Sequence, residues 1–392
     1  MNAKQKKRLR QGLLIAGIIL IAFNLRPGLA AVGPLVSKIR LDTGLSNVLL
    51  GFLTTLPLLA FGVVSMFTSL FTRRWGFEVT LAGALLLLTA GTLLRVISST
   101  AALFGGTLLI GTGIAFGNVL LPSLIKRDFP QKTGVMTSLY SSVLGLGATL
   151  AAGVSIPLAQ PLGWRWSLGA WALPAGVALL IWLPQLKFRT IPRHSRKFTE
   201  SLKKLGNSSL AWQVAFFMGL QSLAFYVMLA WLPEILQSRG MGAANAGWML
   251  SLSQGTGVLG TLIIPAWAEK FKQQDKIIWI LSGLELVSLI GLIIPSAPLL
   301  GLWVSLIGFS LGGSFGLALL FIVLRTADTE TATELSGLAQ SIGYLLAATG
   351  PALFGLLHDI SNQWTMPLIM LIGVLIVKLW FGLGAAKPRE IK

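Results

Sequence analysis

The chain reads as an all-α membrane protein with about twelve transmembrane helices arranged as two six-helix halves. Three observations predict this. The composition is 54% apolar with only 11% charged residues, and the mean hydropathy is +0.78, whereas a typical soluble domain carries roughly 25% charged residues. Apolar stretches of the length that crosses a hydrocarbon core, roughly 20 residues for about 30 Å, follow one another along nearly all of the 392 residues. A single long polar segment, Lys187 to Ser209, divides them evenly.

The apolar windows fall near 12–36, 46–71, 78–97, 100–122, 134–158 and 166–186, then 210–233, 245–268, 277–295, 299–323, 333–357 and 364–385. The basic start, the apolar run from Leu13 to Phe23 and the small residues Gly28 to Ala31 also have the form of a cleaved signal peptide. Removing them would leave eleven helices and break the six-plus-six count. The domain boundaries follow: an N-terminal bundle over 1–187, a basic linker over 188–209 and a C-terminal bundle over 210–392. The polar stretch from Lys187 to Ser209 holds seven Lys and Arg residues, which would suit anionic lipid or a partner, although a solvated, topogenic loop is the simpler reading. Thr199 and Glu200 mark the start of a short interfacial helix.

A net charge of +18 in a soluble chain would point to nucleic acid. Here the charge sorts by loop instead. Of the 31 Lys and Arg residues, 24 fall on the tails and on one set of loops, and only Lys38, Arg40, Arg95, Arg165 and Arg239 fall on the other set. The positive-inside rule then places both termini in the cytoplasm. No nucleic-acid partner is expected. The sequence has no cysteine, and only His194 and His358 offer imidazole, which excludes disulfides and cysteine nucleophiles and argues against a metal site or any other cofactor. An embedded enzyme would need carboxylates or histidines clustered within the spans, and a sensor would need a sizeable soluble domain; the sequence offers neither.

The two halves resemble each other faintly at an offset of 200, in Gly113/Gly313, Leu120/Leu320, Asp128/Asp328, Ser141/Ser341, Ala148/Ala348, Thr149/Thr349 and Trp164/Trp364. Apolar coincidences are cheap, so the Asp and Trp pairs carry most of this signal. The pattern is that of a parallel six-helix repeat.

Two basic residues lie inside spans. Arg26, in Asn24-Leu25-Arg26-Pro27-Gly28, sits about fourteen residues from the cytoplasmic end of the first span, roughly 21 Å at 1.5 Å per residue. A guanidinium there costs about 2.5–3.5 kcal/mol on insertion scales, so it should face a wet cavity or a counter-charge. Pro27 and Gly28 loosen the helix beside it. The functional reading is that Arg26 binds an anionic or strongly polar substrate through its fork of donors; the alternative is a structural ion pair or contact with helix-end carbonyls. Lys378 reads as a residue snorkelling to the cytoplasmic face.

Glu285 lies mid-way along the ninth span, where a proton-coupling role and plain structural burial both fit. His358 and Asp359 lie at the outer end of helix 11; they suit proton exchange with the outside, and an exposed helix end explains them as well. Asn118, Tyr140, Gln221, Tyr226, Gln254, Gln340 and Tyr344 are uncharged hydrogen-bonding groups within spans, fit either to line a small-molecule site or to hold helices together. Gly255, Gly257 and Gly260 spell the glycine spacing of a dinucleotide loop. They lie inside an apolar helix with no preceding strand and read as packing positions instead, like Gly113 with Gly117.

Several segments resemble the cyanate porter branch of the major facilitator superfamily, the group of cyanate permease and the 2-nitroimidazole transporter. They are Leu25-Arg26-Pro27, the run from Leu53 to Phe61 (LTTLPLLAF), the run from Gly117 to Pro130 (GNVLLPSLIKRDFP), Trp231-Leu232-Pro233, and the run from Ala339 to Ala348. The run from Gly117 is the most specific and is closer to the nitroimidazole carrier. The resemblance implies the twelve-helix major facilitator fold, with substrate taken between the halves near the midplane, and residence in the plasma membrane. It implies alternating-access transport of a small polar or anionic solute by a monomer. A multidrug or toxic-compound exporter of the same fold is the alternative. The chain departs from the superfamily pattern at Ser69 to Gly76, where Arg73 replaces the usual aspartate. It departs again near Thr107, where drug/proton antiporters carry an arginine.

Overall fold

The computed structural model describes residues 3–45, 47–189, 198–294 and 299–391. Residues 190–197 of the linker between halves, with His194, lie outside them. The described residues are almost entirely helical, and the one bridge between extended residues joins Thr326 to Ile391. Ten continuous helical stretches are long and apolar enough to cross a membrane; two of them, 40 and 56 residues long, are long enough to cross twice. Each doubled stretch turns at a glycine in the left-handed region, Gly76 at φ 80° and Gly163 at φ 76°. A side chain is strained at such a φ, so glycine is the residue that lets one helix end and the next begin with no longer loop between them.

Among the described residues twelve spanning helices result: α1 Ala3–Asn24, α2 47–75, α3 77–94, α4 Thr100–Asp128, α5 133–162 and α6 164–182, the last interrupted by a turn at Ala170 and Trp171; then α7 Ser209–Gln237, α8 Ala243–Ala268, α9 Asp275–Ile293, α10 Leu300–Leu324, α11 Thr329–Ser361 and α12 Thr365–Ala385. α1 is continued by the short helices Pro27–Ala30 and Val36–Thr43. A short helix over Phe198–Gly206 precedes α7 and has Glu200 in its first turn and Lys203 and Lys204 in its last, the charge order the helix dipole favours.

The chain forms two compact units. The first comprises Met1–Leu124 and Val143–Phe198, the second Ile125–Ser142 and Thr199–Lys392. Within the first, α1 packs on α6 at Gly17, where any side chain would strike the buried Trp182 ring, and the Trp182 indole donates to the Glu78 carbonyl at 2.9 Å. α4 approaches α2 at Gly111, against Pro57 and Ala60, and approaches α3 where Gly91 meets Gly106.

Within the second unit, α8 and α10 are in backbone contact. A Cβ at Gly308, Gly312 or Gly260 would fall on the carbonyl oxygen of Ser253, Gly257 or Phe309, respectively. Two glycines of the dinucleotide-like spacing, Gly257 and Gly260, therefore belong to a helix-packing seam, in which small residues let two backbones close in lipid, while Gly255 meets open space. Gly113 and Gly313, equivalent in the repeat, play matching parts: a Cβ at Gly113 would meet the Ala84 carbonyl of α3 at 2.7 Å, and one at Gly313 would meet Leu281 of α9 at 2.9 Å. The repeat-related aspartates differ. Asp128 pairs with Arg127, whereas Asp328 caps α11 by accepting from the Thr331 amide at 2.7 Å.

The seam makes a direct prediction. Gly312→Ala should lower the stability of the purified protein by about 1–3 kcal/mol, the usual cost of overpacking, while Gly283→Ala on α9, which meets open space, should lower it by nothing measurable. Thermal unfolding of both variants checks this, and equal midpoints would rule the seam out as a packing constraint.

Candidate functional site

The site in the first unit is a helix break. α1 stops at Asn24, the Leu25 amide reaches back only three residues to the Ala22 carbonyl at 3.2 Å, and Arg26 adopts φ −120°, ψ −34° as the cap of the short helix that Pro27 begins. Proline at that first position lacks the N–H that would continue α1, and its preset φ suits a new start. The backbone groups left at the break are taken up nearby. The Arg26 carbonyl accepts from the Leu29 and Ala30 amides at 3.0 Å each. Asn24, buried just before the break, donates to the Leu20 carbonyl at 2.8 Å and to the Pro174 carbonyl of α6 at 3.1 Å.

Glycines let neighbouring helices close on this bend. Gly117 of α4 lies against Leu25, Gly147 of α5 against the Phe23 carbonyl, and Gly28 itself against Ile110 of α4. Asn118, adjacent to Gly117, is buried in the same unit, and Arg26 is half-buried.

A second arginine reaches the break. Arg95, expected to lie in an outer loop, is only 1% exposed just past the end of α3, and its Nη1 donates to the Gly28 carbonyl at 2.6 Å. The hydropathy window 78–97 runs past the helix end at Leu94, and counting Arg95 as a loop charge could not show that its side chain folds inward over Gly106.

In the second unit, α7 and α11 meet at Gly219 and Gly343, with a Cβ on Gly219 falling 3.2 Å from the Gly343 Cα. Three of the predicted polar residues lie close to it along α7 and α11, and a fourth, Tyr140, is buried in the same unit. Gln221 lies just beyond Gly219 and donates to the Ser222 hydroxyl at 2.7 Å; Tyr344 follows Gly343, with Gln340 one turn earlier on the same face. Tyr140, from the Ile125–Ser142 segment, lies within electrostatic range of Tyr344. All four are at most 2% exposed, and the Tyr140 hydroxyl and the Gln340 Oε1 have no hydrogen-bond partner. Buried polar atoms are rarely left so. Tyr226 and Gln254 are half-buried; Tyr226 sits edge-on to Phe225, with centroids 5.4 Å apart.

The remaining candidates separate from this cluster. Glu285 and Lys378 form a buried ion pair between α9 and α12, at 2% and 1% exposure, and the Ser310 hydroxyl of α10 donates to the same carboxylate oxygen at 3.2 Å. Lys378 therefore does not snorkel. Its ammonium turns to a counter-charge 93 positions away in sequence, because burial in lipid makes an unpaired ammonium costlier than a folded-back side chain. His358 lies half-exposed with its Nδ1 3.6 Å from Asp359 and its ring stacked on Trp364 at 3.9 Å.

Basic residues expected in loops also prove structural. Arg325, at the end of α10, donates from Nε to the Ala385 carbonyl at 2.7 Å, from Nη2 to the Ala386 carbonyl at 3.0 Å and from Nη2 to Gln274, tying the ends of α9, α10 and α12 together. Burial lowers its pKa to about 10, which leaves it charged at neutral pH. In the first unit, Arg165 and the Trp164 indole both donate to Asp42, the indole at 3.1 Å, and these hydrogen bonds hold the Asp42 carboxyl below its ordinary range.

The sequence matches the Major Facilitator Superfamily over residues 18–351, and the chain belongs to that family of transporters. Within the family it falls in the branch of cyanate and 2-nitroimidazole carriers. It is 47% identical to a Bacillus subtilis (strain 168) protein described as an uncharacterized transporter, YycB, over 100% of this chain and 98% of that one. It is 40% identical to the 2-nitroimidazole transporter of Escherichia coli (strain K12) over 97% of each chain, and 31% identical to the cyanate transport protein CynX of the same organism over 93% and 96%. The greater likeness to the nitroimidazole carrier agrees with the run from Gly117 to Pro130. Among solved structures, the FucP transporter in its outward conformation aligns over 94% of this chain and 98% of that one with a TM-score of 0.74 at 14% identity. The proton:xylose symporter XylE aligns over 94% of each with the same score at 15% identity; at such identities the likeness concerns the fold.

Two outcomes test the electrostatics. Lys378→Met should destabilise the protein by about 3–5 kcal/mol by stranding Glu285 in a buried site, and Lys378→Met with Glu285→Leu should recover most of that loss; unfolding of the single and double variants measures it. For Asp42, the folded pKa is depressed, so the contact contributes stability above the unfolded carboxylate pKa and loses it as pH falls through the folded value. Asp42→Asn should accordingly lower the unfolding midpoint at pH 7 and make no difference in strong acid, and a pH-independent gap would contradict the assignment.

Proposed function

We propose that this chain is a secondary transporter that moves a small polar or anionic solute across the cell membrane by alternating access, with Arg26 as the residue that recognises negative charge. One observation carries the reading: the first spanning helix breaks at Arg26 and Pro27, deep within the span Gln11–Leu35, and holds a half-buried guanidinium there. An intramembrane charge beside a broken helix is the arrangement by which transporters meet charged cargo. The relatives support the solute class, since they are named for cyanate, a small anion, and for 2-nitroimidazole, a small polar heterocycle.

Asn118 in the first unit and Tyr140, Gln221, Gln340 and Tyr344 in the second supply hydrogen bonds to uncharged parts of the solute, with Tyr226 and Gln254 as further contacts. We assign proton exchange to His358 with Asp359 rather than to Glu285, whose carboxylate already has Lys378 and Ser310. His358→Gln should then flatten any dependence of transport on external pH between about 5 and 8; an unaltered profile would remove His358 from the mechanism. The linker at 188–209 and both termini lie in the cytoplasm, and the protein works in the plasma membrane as a monomer.

Thermal unfolding of the purified protein with cyanate, nitrate, benzoate and 2-nitroimidazole tests the reading. A ligand that binds only the folded state at about 100 times its Kd stabilises by about 2.7 kcal/mol. At least one of the four should stabilise wild type and lose its effect in Arg26→Ala and Arg26→Lys. Equal stabilisation of all three proteins would make Arg26 structural.

A further inference from the structure

The inference rests on Arg95 and on the reading just proposed, that the solute carries negative or strongly polar groups. Its guanidinium is buried, its stem lies over Gly106 of α4, where a Cβ would come within 2.8 Å of the Arg95 Cγ, and Nη1 is committed to the Gly28 carbonyl. Nε and Nη2 have no hydrogen-bond partner at all. Those two nitrogens share one edge of the guanidinium plane, and their parallel N–H groups are the pair that grips two oxygens of a planar anion side-on. A guanidinium needed only to hold the Gly28 carbonyl would use a single N–H and leave the rest to water.

Charge sharpens the point. The first unit contains only two carboxylates in its whole sequence, Asp42 and Glu78. Asp42 is taken by Arg165 and Trp164. Glu78 stands at the other end of α3, 17 residues before Arg95, or about 25 Å along a helix at 1.5 Å per residue. Arginine does not shed its proton in proteins. The buried cation therefore has no carboxylate of its own unit to neutralise it, and water would satisfy its N–H groups without supplying the missing charge.

We propose that Arg95 forms an anion subsite at the break in α1: Nη1 fixes the Gly28 carbonyl, two residues from Arg26, and the Nε–Nη2 edge receives a small planar anion, a carboxylate or an oxyanion of similar shape. Arg95 sets the position of the anionic end of the solute, and Arg26 binds it from the same bend of the chain.

The probes are sodium nitrate and sodium benzoate, titrated against purified full-length protein with the bulky gluconate anion at equal ionic strength as control. Unfolding midpoints read apparent affinity. Wild type should be stabilised saturably by at least one probe. Arg95→Gln, and equally Arg95→Lys, which keeps the charge and a donor for Gly28 but loses the two-donor edge, should weaken the apparent affinity tenfold or more; Arg165→Gln, far from the break in sequence and committed to Asp42, should leave it unchanged. Should Arg95→Gln not fold, Arg95→Lys decides alone. Wild-type affinity in the Arg95 variants, or no saturable effect on wild type, overturns the subsite. Loss in Arg26→Lys with full binding in Arg95→Lys also overturns it while leaving Arg26 as the recogniser. The reverse pattern upholds the subsite and removes Arg26.

Discussion

A backbone carbonyl freed inside a membrane has no water to turn to, and the first unit is organised around that constraint at one place. The break after Asn24 interrupts a helix whose hydrogen bonds would otherwise be complete. The gap is closed by a three-residue turn at Leu25, by the Asn24 amide reaching α6, and by a guanidinium from the end of α3 that takes the Gly28 carbonyl. Gly117, Gly147 and Gly106 make this possible, because each lets a neighbouring element come closer than any side chain would allow. The break is thus a site held from three sides by α3, α4 and α5 together with α6, and a bend so supported presents Arg26 in a defined place, as a binding group requires.

The second unit answers the same constraint differently. Its deep charges are opposite in sign and neutralise each other: Glu285 meets Lys378 and takes a further hydrogen bond from Ser310. Its buried Arg325 spends its donors on carbonyls and Gln274 at helix ends, where the partial negative charge of unsatisfied carbonyls accumulates. Among its buried uncharged groups, the Tyr140 hydroxyl and the Gln340 carbonyl oxygen have no hydrogen-bond partner. The first unit thus holds buried positive charge with only two carboxylates in its sequence, whereas the deep charges of the second are paired.

Much of the fold was legible because lipid makes hydropathy and length decisive. The twelve windows correspond one to one with α1 to α12, and even the two places where helices merge, at Gly76 and Gly163, fall between windows. Gly257 and Gly260 were also readable as packing, since an apolar helix without a preceding strand has no phosphate loop to offer, but the same reading fails for Gly255, which meets open space. The misreadings concern direction. Hydropathy locates a residue along the membrane normal but not around the helix axis, so Arg95 and Arg325 looked like loop charges and Lys378 looked like a snorkelling one. For Lys378 a signal existed: Glu285 is the oppositely charged residue deep within a span of the same half. For Arg95 the signal was compositional, a half with many cations and two carboxylates, and only coordinates could say which cation turned inward.

The departure at Arg73 belongs to the same account. Where the superfamily usually places an aspartate, this chain has a cation, while Gly76 three residues on keeps the left-handed turn that joins α2 to α3. The turn is a backbone requirement and survives; the carboxylate is a charge and is gone. With that aspartate missing, the first unit retains only Asp42 and Glu78. Arg95 is where this deficit is felt: its Nε and Nη2 have no partner and neither carboxylate is hydrogen-bonded to it, so an anion bound at that edge would offset the cost of burying the guanidinium.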